Sequence, residues 1–153
     1  MKRRLFLFSI VFLVLSAPIF APRLFAQTAA ELETLLATDA LSYDQATSFV
    51  LRAADVAASG SAFDYAAGQK WLSSKAARNG YATLDEVSLL IMGAFGLKGG
   101  IMYSATKSPH YAYRELTHLG VIQGRADPGM AVSGNLLLFM IGRVLDQTEG
   151  DNI

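Results

Sequence analysis

The sequence contains no cysteine, and this absence excludes several kinds of chemistry at once. The chain can form no disulfide and has no lipobox cysteine for lipid attachment. A zinc site would have to be built from histidines and carboxylates. The only two histidines, His110 and His118, lie about two helical turns apart, too far to share one metal without help from elsewhere. We therefore expect no metal and no cofactor.

Charged residues are also few, at 17% of the chain, and the basic residues are nowhere clustered. Without a basic patch, neither nucleic acid nor an anionic membrane surface is an expected partner. The 13 Lys and Arg balance the 13 Asp and Glu, but four of the cations lie in residues 1–26. The remainder keeps nine cations and all 13 acids, so it carries a net charge of −4.

Catalytic motifs are missing as well. No serine has the Gly-x-Ser-x-Gly surround of a nucleophile elbow. The glycines at 120 and 124 enclose no phosphate loop, because the Lys-Ser/Thr ending is absent. Residues 127–129, Asp-Pro-Gly, lack the alternating oxygen ligands of a calcium loop. We therefore predict that the protein is not an enzyme.

The longest apolar run lies at the N-terminus. Basic residues at 2–4 precede the apolar residues 5–15, an arrangement typical of a signal peptide. Ala26 followed by Gln27 fits a cleavage site. The sequence therefore predicts an exported protein, in the periplasm or at the cell surface.

The predicted organisation is a signal peptide at 1–26, a helical domain at 27–148 and a flexible tail at 149–153. The alternative is that the signal stays uncleaved and anchors the protein in the membrane. Pro18 and Pro22 weigh against this alternative, because they lie where a spanning helix would continue.

Helix-start signals recur along the domain. Ser42 and Thr83 are each followed three residues later by Gln45 and Glu86, the pattern of a capping box, and then by an apolar helical run. Ser133 begins a third such helix without completing a box. These repeated starts predict second helices of three helical hairpins.

The first helices of the hairpins are predicted at 28–38, at 62–78 and from Pro109 onward, where Ser108 precedes as a cap. Nothing alternates over strand length, although a short extended segment is expected at 101–103. The predicted fold class is all-α, with about six helices in three hairpins.

The stretch from 108 to 143 resembles a repeat of the S-layer homology family. Three motifs match that repeat in order: HYA at 110–112, LGVIQG at 119–124 and VS at 132–133, with Asp127 before the last. The resemblance implies a three-bladed helical bundle that binds cell-wall polysaccharide or peptidoglycan-linked polymer in grooves between repeats.

The family's ligand contacts do not carry over. The resemblance implies an arginine at the start of each second helix, and the matching positions here are Tyr43, Leu84 and Gly134. None of these can replace a guanidinium, which suits bidentate recognition of an anion. The resemblance therefore implies the fold more strongly than the ligand.

Aromatic residues gather in one half of the chain, around the only tryptophan. Such side chains suit carbohydrate faces, although cores and protein interfaces use them more often. A local ion pair is the simplest interpretation of the charged pair in the turn of the best-matching hairpin. The candidate binding residues are Tyr111, Trp71, Tyr65, Arg125 and Asp127.

The predicted function is that of a non-catalytic exported envelope module that contacts another envelope protein or associates with itself. The alternative is a module that binds cell-wall glycan, either peptidoglycan or a secondary polysaccharide. An acidic domain without the motif arginines would repel an anionic polymer. A protein partner needs only an apolar or aromatic patch with a polar rim.

Overall fold

A computed structural model describes residues 21–150 of the chain, with side chains described from 29 to 148. The predicted basic and apolar regions of the signal peptide, at 2–15, and the last three residues lie outside the described residues. Cleavage after Ala26 stays a prediction. Helix-forming residues 21–34 belong to a first unit, and the second unit, from residue 35 onward, contains the core.

Within the described range the protein is all-α, as predicted, with seven helices and no β-strand longer than a single bridge. The helices are α1 (Ala21–Leu36), α2 (Tyr43–Ala53), α3 (Ala62–Gly68), α4 (Leu84–Ala94), α5 (Ile101–Thr106), α6 (Pro109–His118) and α7 (Gly134–Gly150). None of the helices in this range is long and apolar enough to cross a membrane.

Three short segments meet at the centre of the second unit, each directly before one of the predicted second helices. The amide of Leu41 donates to the carbonyl of Val132 at 2.9 Å, that of Val132 to Ala82 at 2.9 Å, and that of Ala82 back to Leu41 at 2.8 Å. All three residues are buried. The three hydrogen bonds form a closed ring, and α2, α4 and α7 each begin two residues after a ring residue.

Two of the three predicted caps form as expected. At the start of α2 the amide of Gln45 donates to Ser42 Oγ at 3.2 Å, and the amide of Ser42 donates to Gln45 Oε1 at 2.9 Å. This is a complete capping box. At the start of α7 the amide of Leu136 donates to Ser133 Oγ at 3.2 Å.

The capping box predicted at Thr83 is wrong, although α4 does begin there. Glu86 is turned away from the cap and accepts hydrogen bonds from the amide of Ser73, at 3.0 Å, and from the Ser73 hydroxyl. Thr83 Oγ1 instead donates to Asp85 Oδ1 at 2.7 Å, and the same oxygen accepts from the Glu86 amide at 2.8 Å. The tertiary contact with Ser73 therefore uses the Glu86 carboxylate that a capping box would direct to its own helix start.

Two further expectations about helices are wrong. The helix predicted at 62–78 ends at Gly68, because Lys70 adopts a left-handed conformation (φ 60°) and the Trp71 amide closes back onto the Ala66 carbonyl at 2.9 Å. This is a Schellman ending with lysine where glycine is usual. The segment predicted as extended at 101–103 is the start of α5, a helix that the sequence did not predict.

Helix α4 is the centre of the core. Eight of its residues, from Leu84 to Met92, are buried, whereas α6 buries only Ala112 and Leu116. A helix that is apolar on all sides has to be covered on all sides. Helices α2 and α6 pack against it, and the irregular residues 69–79 contact it through Trp71 and Ser73. Helix α5 packs on α6, and together these elements build the surface described next.

Candidate functional site

The predicted binding residues fall in three separate places. Trp71 and Tyr65 lie together, with ring centroids 5.9 Å apart in an edge-to-face arrangement. Tyr111 lies beside α5 in a different groove. Arg125 and Asp127 are exposed in the loop before α7 and line neither groove.

The loop residues Arg125 and Asp127 serve the turn. Asp127 Oδ1 accepts from the Gly129 amide at 2.9 Å, which stabilises the turn locally. The expected ion pair between Arg125 and Asp127 is absent from the described structure. A binding role for these two residues stays a prediction.

The first groove, here called the Trp71 groove, has a volume of about 600 Å³. Its floor is built on two glycines: a Cβ atom at Gly93 would overlap the Trp71 ring, and one at Gly99 would overlap the Tyr103 ring. Both aromatic rings therefore lie directly on the backbone. Buried apolar side chains from α4, Leu89 and Met92, complete the floor.

Three lysines, Lys70, Lys98 and Lys107, line the Trp71 groove, and no described Asp or Glu does. The Lys107 ammonium lies 4.3 Å from the centroid of the Tyr103 ring, a cation–π contact that fixes one charge on the groove wall. The groove is therefore locally positive, although residues 27–153 together carry a net charge of −4.

Two of these lysines have unusual backbone. Lys70 (φ 60°) and Lys107 (φ 48°) both adopt the left-handed conformation directly after a helix. At the ends of α4 and α6 the same conformation is adopted by Gly96 and Gly120. Lysine at such a position is less favourable than glycine, by about 1 kcal/mol.

Tyr103 lines the groove as an uncharged phenol and contributes no negative charge to it. It is only 2% exposed. Burial raises the pKa of its phenol above the ordinary value of 10.0, and the Glu115 carboxylate raises it further. The hydroxyl therefore stays protonated at neutral pH, and the positive charge of the three lysines is not offset by it.

The second groove, here called the α5 face, has a volume of about 440 Å³ and contains the candidate Tyr111. Ile101 is 87% exposed and Met102 is 52% exposed, at consecutive positions of the helix. Tyr111 packs edge-to-face on His110 at 5.3 Å. The polar residues around this apolar surface are Arg114, Glu115 and His118.

Arg78 links α2 to α3 through ion pairs with one aspartate on each helix. Its guanidinium contacts Asp44 at 2.9 Å and Asp64 at 2.7 Å. The hydrogen bond that Arg78 donates to Asp64 is the main cause that raises the pKa of Arg78, so the guanidinium keeps its charge. The arrangement is structural and leaves little for an external anion.

The three positions that match the motif arginines are packed inside the protein. Tyr43 and Leu84 are buried, and the Tyr43 hydroxyl lies 3.4 Å from Thr83 Oγ1. At Gly134 a Cβ atom would overlap the backbone carbonyl of Leu35. These positions therefore contribute to the core around the ring.

Across the part of the chain that the structure describes, no three His, Asp or Glu residues come together in a group that could hold a metal ion. Comparison with known proteins finds no matching family model, curated protein or solved structure. The resemblance to S-layer homology repeats therefore stays a prediction.

The candidate binding residues predicted from the sequence do not include the three lysines of the Trp71 groove. Lys70, Lys98 and Lys107 are scattered along the chain and come together only because α3 ends early and α5 forms. One signal was available, since Lys70 follows a short apolar run with Gly68 inside it, but a left-handed lysine has no sequence signature of its own.

Proposed function

We propose that this protein is a non-catalytic, exported module of the cell envelope that contacts another envelope protein, or a second copy of itself, through the α5 face. The observation that carries the proposal is the exposure of Ile101 and Met102 beside Tyr111. Single exposed apolar residues are ordinary, but an apolar patch with a polar rim is typical of a protein interface.

The local construction of the α5 face supports this role. Helix α5 has only six residues, so little of its stability can come from its own hydrogen bonds. It is held from the other side by Tyr103, which is buried. The helix therefore presents Ile101 and Met102 on a fixed support, as an interface anchor requires.

Export is supported by the arrangement of residues 1–26, with a basic start, an apolar run and Ala26 before Gln27. N-terminal sequencing of the exported protein is expected to begin near Gln27. Recovery of intact Met1 in a membrane fraction would instead make the protein membrane-anchored.

A second candidate function is binding of cell-wall glycan. Two observations favour it: the ring of three helix starts agrees with the bundle that the S-layer homology resemblance implies, and Trp71 lies in a groove lined by lysines. Against it, the three motif positions have no arginine and two of them are buried side chains.

Photo-crosslinking in intact envelopes tests the proposal. A photo-reactive residue at Ile101 is expected to form a covalent adduct with one protein species, identified by mass spectrometry, and Tyr111→Ala is expected to weaken it. The matched control carries the same group at Ala57, which is exposed but remote in sequence from α5.

Cosedimentation with protein-free sacculi separates the two candidates. Saturable binding to the sacculi that is lost in a folded Tyr111→Ala variant, without a crosslink from Ile101, would contradict the protein partner and establish the glycan.

A further inference from the structure

The Trp71 groove is not used by the contact proposed above, and its chemistry points to a particular kind of occupant. We infer that the Trp71 groove binds an acidic segment of polypeptide. The inference rests on the proposed function in one respect, since it takes the partner to be a protein.

Charge is the first argument. Three lysines line the groove and no described Asp or Glu does, in a domain that is otherwise acidic. Like charges held together repel one another, and a ligand with several carboxylates relieves that repulsion. Lysines are also depleted at ordinary interface centres, so their concentration here favours an oppositely charged occupant.

Backbone strain is the second, independent argument. Lys70 and Lys107 are two of the three non-glycine residues with left-handed backbone in the described structure, and both line the same groove. The third, Asp55, is of a residue type that tolerates this conformation better than lysine does. The helices that end at Gly96 and Gly120 use glycine at this point. Strained residues are retained where the side chain is needed, and what these two side chains share is the groove.

Free backbone donors are the third argument, and they favour a peptide over a glycan. Residues 97–100 form an irregular segment along the groove, and within the described structure the amides of Lys98 and Gly99 donate no hydrogen bond. The backbone carbonyl groups of a bound polypeptide are ordinary acceptors for such donors. Leu97, which is half-buried, offers contact for an apolar side chain next to the acids.

The groove offers fewer suitable hydrogen-bonding side chains to a sugar than to a peptide. The hydroxyl groups of a sugar need amide or carboxylate side chains in fixed positions, and among the described residues the groove has one amide side chain, that of Gln69, and no carboxylate. The groove therefore combines charge for carboxylates, amides for a backbone and an apolar floor, which together describe an acidic peptide.

Trp71 is the only tryptophan in the chain, so its fluorescence reports directly on the groove. The probe is a synthetic peptide of alternating glutamate and leucine that contains no tryptophan, titrated into the domain at low ionic strength. We expect a saturable change in Trp71 emission that weakens as salt is raised, and no change with a matched peptide of glutamine and leucine.

The decisive variant is the double change Lys70→Gly with Lys107→Gly. It removes two cations and supplies the residue that suits the left-handed conformation, so the thermal midpoint is expected to stay the same or rise. Affinity for the acidic peptide is expected to fall about tenfold or more. Lys75→Gln, which removes a cation outside the groove, is the control and should leave affinity unchanged.

The inference is overturned if the two peptides bind equally, or if the double variant binds as tightly as the parent. It is also overturned if an anionic polysaccharide such as polygalacturonate changes Trp71 emission with the same lysine dependence and the acidic peptide does not. A crosslink from Ile101 in the absence of peptide binding would remove this inference and leave the proposed function standing.

Discussion

The starts of α2 and α4 carry the same motif, a hydroxyl residue followed three positions later by Gln or Glu, and both follow a segment of the central ring. At α2 the motif forms a complete capping box, and at α4 it forms none. The motif therefore predicts where a helix begins, while the surrounding structure decides which hydrogen bonds are made there.

The physical cause of the difference is Ser73. The irregular residues 69–79 pass along α4, and the amide and hydroxyl of Ser73 both donate to Glu86. A carboxylate that is 6% exposed requires such donors. At α2 no comparable neighbour competes, and Gln45 is exposed and free to return to its own cap.

The largest expected effect comes from the third helix start, where nothing can adjust. Gly134→Ala places a Cβ against the Leu35 carbonyl, so backbone has to move, and we expect a loss of about 3 kcal/mol in unfolding free energy, measured by denaturant titration. Gly142→Ala in the same helix meets no atom within 4 Å and is expected to be neutral or stabilising. Equal midpoints for the two variants would refute the close approach.

The second effect tests the tertiary bond itself. Glu86→Ala removes the acceptor of two Ser73 donors, and we expect a loss of about 2–3 kcal/mol, because hydrogen bonds to a charged group are the strong ones. Combining it with Ser73→Ala should give a sum smaller than the two single losses. Strict additivity would show that the two residues do not act together.

Ser42→Ala is expected to be milder, at about 1 kcal/mol, because it removes one cap oxygen from the start of α2. Ser42→Asp, which keeps an acceptor near the positive end of the helix dipole, should restore most of the lost stability. A failure of the aspartate to restore it would mean that the serine matters for packing rather than for capping.

Thr83→Ala is expected to have the smallest effect, about 0.5 kcal/mol, since the Thr83 hydroxyl bonds Asp85 and caps no amide. The contrast with Ser42→Ala is the sharpest test of the comparison. If Thr83→Ala destabilises as much as Ser42→Ala, then the two starts are equivalent in solution.

The sequence was sufficient for the features that are local. Ser42 with Gln45, Ser133 and the left-handed Gly120 are each defined within a few residues, and they give the all-α class and the three second helices. The end of α3 was missed because Lys70 occupies a position where glycine is the usual signal. Helix α5 was missed because a short apolar run does not distinguish helix from strand.

The candidate sites were predictable only in part, for the same reason. Tyr65 and Trp71 are close in sequence and do pack together, but Tyr111 belongs to a separate groove. The lysines of the Trp71 groove belong to different elements and become neighbours only in the folded chain. The negative net charge of the domain does not predict a locally positive groove, because net charge carries no information on where the lysines lie.

The closed ring of Leu41, Ala82 and Val132 also bears on how cooperatively the domain unfolds. In an open array of helical repeats an end unit can detach while the rest stays folded. Here each ring residue accepts from one neighbour and donates to the other, so a hairpin that leaves breaks two of the three bonds and exposes buried residues. The ring joins residues from near both ends of the domain, so it closes only after the whole chain is available. Hydrogen exchange of the three ring amides should therefore give one common opening free energy, equal to that for unfolding the whole domain.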